Sequence, residues 1–150
     1  MANTSAICTS FKQDLLNGLH AFGTTVVRGA TTKDSFKFAL YLTTATIGAA
    51  TTAYSATNEV TSANYTAGGL GVTNATAPTT SGTTAYWTPS ANAAWTTVTF
   101  TTDCALLYND TAAGKNSVGS YTFSSQTVTA GNFTLTMPVN AAGTALLQIA

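Results

Sequence analysis

Charge is scarce in this sequence. Five basic and five acidic residues leave 7% of the 150-residue chain charged, with a formal net charge of zero, against about 25% in an average globular protein. Between positions 38 and 102 the only formally charged side chain is Glu59. Without a basic field, neither nucleic acid nor an anionic membrane surface is an expected partner. Long apolar runs are missing too. Thr and Gly interrupt every stretch well short of the roughly 20 residues that span a bilayer. The opening, "MANTSAICTSFKQDLL", has neither the basic start nor the unbroken apolar segment of a secretory signal, and its first Lys is at position 12. The chain is therefore expected to be made and left in the cytoplasm, although a Thr-, Asn- and Gly-rich, charge-poor composition suits a protein that works outside cells.

Reactive side chains are equally sparse. His20 is the single histidine, and the sequence fixes neither a nucleophile for it nor a group to orient it, as a triad would require. The acids Asp14, Asp34, Glu59, Asp103 and Asp110 form no HExxH, no calcium-loop spacing and no evident pair. Asp103 and Asp110 bracket one expected strand, which would hold them roughly 20 Å apart. Cys8 and Cys104 are distant in sequence, without metal-ligand spacing, and are expected as buried free thiols. Gly68, Gly69 and Gly71 do not reproduce the dinucleotide-binding spacing and are read as turn residues. Sequons at Asn3, Asn64, Asn74, Asn109 and Asn132 are what an Asn- and Thr-rich chain yields by chance. No catalytic, cofactor-binding or metal-ligating residue is expected, no cofactor is implied, and the chain reads as a non-enzyme. Tyr41, Tyr54, Tyr65, Tyr86, Trp87 and Trp95 could together stack on sugars, but core and interface packing is the preferred reading of such rings.

What is present is threonine, about one residue in five, a β-branched residue suited to the exposed face of a strand. Hydrophobic residues at 45%, aromatics at 10% and a mean hydropathy of +0.18 exclude a disordered chain, and the length suits one domain, residues 1–150. One helix is expected over about 11–22: Ser10 and Gln13 match a capping box, Phe11, Leu15, Leu19 and Phe22 form an apolar stripe, and Gly23 is a plausible stop. A loop bearing Arg28, Lys33 and Asp34 follows. In "SFKFALYL" Phe36, Phe38, Leu40 and Leu42 share one face, while Ala39 and Tyr41 on the other suit a strand covered on both sides. Short alternating strands are expected at 93–100, 104–110, 119–130, 132–139 and 144–150, with turns between them. The Gly- and Thr-rich stretch from Tyr65 to Trp87 reads as a surface connection or edge hairpin. The expected fold is mainly β, an antiparallel, jelly-roll-like β-sandwich with one short N-terminal helix.

Taken in order, "MANTSAICTSFKQDLL", "FKFALYLTTATIGAATTAYSATNEV", "YTAGG" and "ALLYND" resemble a family of small virion proteins of tailed bacteriophages, over nearly the whole chain. The resemblance implies a structural protein that folds in the host cytoplasm without a signal peptide and works outside once lysis frees the particle. It suggests a capsid decoration or cement protein on the capsid surface, whose partners are further copies of itself, as a dimer, and the major capsid protein. The other role it allows is a tail, baseplate or fibre module binding host glycans through loops between Tyr54 and Trp95. Scarce charge fits either role, because a surface held against neighbours needs little solubilising charge.

Overall fold

The computed structural model describes residues 3–8, 11, 15, 19–22, 33–73, 77–82 and 84–149. Alternation in "FKFALY" builds strand β2 (Phe36–Tyr41), and its two faces go to two different cores. Phe36, Phe38 and Leu40 enter the larger cluster with Trp87, Trp95, Val98, Leu107 and Val118. Ala39 and Tyr41 lie on the opposite side with Ala45, Cys104, Leu106 and Tyr108, and Ile47 and Tyr54 from the following loop close over them. The doubly covered strand expected from Ala39 and Tyr41 is what forms.

The chain is mainly β, with antiparallel sheets. The large sheet has the order β1-β7-β6-β2-β3, where β1 is Ala6–Ile7, β3 Leu70–Gly71, β6 Ala93–Asn109 and β7 Ser117–Leu135. The small sheet, β4-β5-β8, consists of Thr79–Ser81, Thr84–Trp87 and Leu147–Ile149. The expected edge hairpin is present as β4 and β5. Trp87 of β5 and Leu147 of β8 belong to the same core as Phe36 and Phe38 of the large sheet, so apolar burial joins the two sheets.

Two expectations are corrected. The short strands at 93–100 and 104–110 are one 17-residue strand, and those at 119–130 and 132–139 merge into one of 19 residues. The residues read as turns are β-bulges. Between the pairs Thr102↔Gln126 and Cys104↔Thr122, β6 advances two positions while β7 advances four, and the extra residues bend the ribbon without ending it. Two bulge positions sit at positive φ, Thr97 at 53° and Ala130 at 47°. Side chains pin both. Thr97 N–H donates to Asn132 Oδ1 and its carbonyl accepts from Asn64 Nδ2, while Ala130 N–H donates to Thr99 Oγ1.

The helix expected over about 11–22 is not seen as an element among the described residues. Positions 12–14 and 16–18 lie outside them, so most of that reading falls beyond the described residues; Phe11 and Leu15 are helical and 19–22 are irregular. Ala21 N–H donates to the Asp34 carboxylate at 3.0 Å. The apolar stripe is nonetheless used. Phe11 and Phe22 are buried in the main core with Leu15 packed against it, and Phe22 stacks on Phe36 at 4.6 Å.

Candidate functional site

Glu59, alone in its long uncharged stretch, is 6% exposed. A carboxylate is kept out of water at a tolerable cost only when donors surround it, and three do. Tyr54 Oη donates to Oε2 at 2.6 Å, Tyr65 Oη to Oε1 at 2.7 Å and Gly68 N–H to Oε1 at 2.8 Å. Tyr65 Oη also accepts the Leu40 N–H of β2, and Tyr108 Oη donates to the Gly68 carbonyl. Burial, with the carboxylate beside it, pushes Tyr54 up to about 12 and moves Tyr65 upward as well, so both phenols stay protonated and able to donate. Next to this clasp Gly69, at φ +77°, lies so close to β2 that a Cβ would stand 1.8 Å from the Phe38 carbonyl oxygen. Only glycine fits there.

A second buried polar cluster surrounds Asn109, which is 0% exposed. Its Oδ1 accepts the N–H groups of Thr111 and Ala112, each at 3.0 Å, which fixes the orientation of the amide. Nδ2 therefore points inward, donating to Asp34 Oδ2 at 2.9 Å and to His20 Nδ1 at 3.2 Å. Rings of Phe11, Phe22 and Phe36 stand 4.9, 6.1 and 6.3 Å from the imidazole. The Asn109 amide faces Nδ1 of the imidazole, and the group tethers 19–22 to the end of β6. Sequence reasoning left His20 and Asp34 unconnected because 89 and 75 positions separate them from Asn109. Only the Phe36↔Asn109 register brings them together.

The other described carboxylates are engaged in separate bonds. Asp103 accepts from Asn3 Nδ2 at 2.8 Å, tying the N-terminal segment to β6. Asp110 lies 2.6 Å from Lys115 Nζ and 3.1 Å from Lys37 Nζ, and Lys115 in particular holds its carboxyl below the usual range. Burial raises the Cys8 and Cys104 thiols to about 11 and about 12, so both remain neutral, and both are free, as expected. Trp87, Trp95 and Tyr65 are buried core rings and Tyr41 is fully enclosed, whereas Tyr54 and Tyr86 are half-buried. A shallow depression of about 530 Å³, lined by 46–52 and Thr4, contains no ionisable side chain. Among the described residues no three His, Cys, Asp or Glu side chains gather as a metal site, and no helix is long and apolar enough to cross a membrane.

Among the described residues Lys37, Asp110 and Lys115 meet around the turn joining β6 to β7 and the start of β2, and from 116 to 150 the chain has no Asp, Glu, Lys, Arg or His at all. No family model matches the chain, and no curated protein or solved structure matches it.

Proposed function

We propose that this chain is a non-enzymatic structural protein of a tailed-phage virion, a capsid decoration or cement protein that works as a homo-oligomer, a dimer, against the major capsid protein. The observation that carries this reading is the polarised surface: a long β-ribbon whose far half exposes Thr, Ser, Asn and Gln with no charge, on a chain whose buried ionisable groups are occupied by structural bonds. A high-copy shell protein can cover such a surface with neighbours. The two sheets are taken as a β-sandwich, supported by the core that Trp87 and Leu147 share with β2.

The phage assignment rests on the resemblance of the quoted motifs, and the fold gives those motifs a common purpose. Glu59 of "NEV", Tyr65, Gly68 and Gly69 of "YTAGG", Tyr108 of "ALLYND" and Leu40 of "FALYL" meet in one clasp. Residues scattered over the sequence yet joined in one structural unit are what a shared scaffold would retain. The glycan-binding alternative draws less support, since its two tryptophans have their faces in the core. Mass spectrometry of purified virions tests the proposal. A copy number in fixed ratio to the major capsid protein is expected, whereas a tail-like count of a few copies, or absence from the particle, overturns the decoration role.

A further inference from the structure

From 123 to 135 β7 has β6 on one side and no described strand on the other. β1 reaches only Gly119 and Ser120, and the Ser5 hydroxyl takes the Thr122 N–H. The side chains of 124–127, Thr129, Ala130, Asn132 and Thr134 are exposed. Unpaired edges present rows of backbone donors and acceptors, and monomeric proteins guard them with charge, proline or bulges. Here charge and proline are both missing between 123 and 137. Bulges bend the strand, yet 126–128 and 133–135 keep regular register with β6. Just beyond the strand, Val139 is 73% exposed.

We propose that this edge pairs antiparallel with the same edge of a second copy, the two chains related by a twofold axis so that their large sheets join. The inference rests on the oligomeric reading above and assigns the surface responsible. A second copy fits for two reasons. An antiparallel edge is its own complement, since the same alternating donors and acceptors face each other across a twofold. A surface meeting itself also meets its own charge, and this one has none to repel, while a charged partner would find no opposite sign here.

Sedimentation at tens of micromolar and hydrogen exchange test it together. The wild type should sediment at twice the 15.3 kDa chain mass, with amides in 124–135 gaining protection as concentration rises. Gln126→Glu with Thr134→Glu should return it to the single-chain mass with an unchanged circular dichroism spectrum. The control pair Thr79→Glu with Thr80→Glu, on the exposed edge of the small sheet, should leave the dimer intact. A wild type that is monomeric throughout overturns the oligomeric reading and this interface together. An oligomer that ignores the β7 charges, or that gains no protection in 124–135, leaves the oligomeric reading standing and overturns the interface.

Discussion

At its turn end the β6–β7 ribbon has β1 beside β7 and β2 beside β6, and residues 117–120 are fully buried. At its far end β7 has no described strand along one side, and 124–127 are exposed without exception. The turn end gathers Asp34, Lys37, Asn109, Asp110 and Lys115 into specific bonds, whereas the far end exposes hydroxyls, amides and methyls. Side-chain chemistry follows the division. Where water is excluded, Glu59, Asn109 and Asp34 are held by fixed partners, which makes the geometry specific but easily damaged. Where the ribbon is open, threonine maintains strand conformation without fixing what lies next to it.

Substitutions should separate the two ends. The largest effect is expected at Gly69→Ala, where the added methyl meets the Phe38 carbonyl oxygen and the backbone is left-handed. A loss of at least about 4 kcal/mol, or failure to fold, should appear in thermal melts. A near-normal melt would mean that the loop does not press on β2. Phe22→Ala should cost about 3 kcal/mol, because the ring fills space between Phe36 and Trp87. An exposed-site cost below about 0.5 kcal/mol would detach 19–22 from the core. Glu59→Gln should cost about 2 kcal/mol in denaturant unfolding, since an amide cannot accept from Tyr54, Tyr65 and Gly68 as a carboxylate does.

The pH dependence should belong to the covered half. Tyr54 titrates near 12 when folded and about 10 when unfolded. Its raised value contributes stability that is fully present below pH of about 10 and disappears as pH climbs toward the folded value. Melting temperature should therefore fall above pH 10, and Tyr54→Phe should flatten that fall. Asp110 acts in the opposite direction and weakly: its lowered carboxyl contributes stability above about pH 4 that is lost as pH drops through the folded value. The smallest effect is expected at the open end. Thr134→Glu should change stability by less than about 0.5 kcal/mol; a loss of 2 kcal/mol or more would show that the far half is folded as tightly as the near one.

Strand existence, the two-sided β2, the buried thiols and, of the apolar stripe Phe11, Leu15, Leu19 and Phe22, the core packing of Phe11, Leu15 and Phe22 were legible because each is written in local alternation or residue type. The merging of strands was not. A bulge and a turn are spelled with the same Thr, Gly and Asp residues, and what distinguishes them is whether a partner strand continues alongside. The Asn109 cluster was hidden for a related reason, since its members meet only after β2 has paired with β6, whereas the Glu59 clasp is closed by near neighbours whose loop path the spacing does not specify. The solitary Glu59 was visible as an anomaly, but nothing in its spacing named Tyr54 or Tyr65 as its donors.

The position of β1 has a consequence for synthesis. Its partners on β7, Gly119 and Ser120, are made long after it, and the Ser120 hydroxyl reaches back 116 positions to the Thr4 carbonyl. β2 likewise waits for β6, some sixty residues downstream. A chain growing from the ribosome therefore cannot close its large sheet until four-fifths of it exists, and such non-local pairing folds slowly. During that interval "FKFALYL" has only the short β3 and the 58–60 segment to pair with. The long threonine-rich stretch made after it offers few apolar segments with which it could pair wrongly.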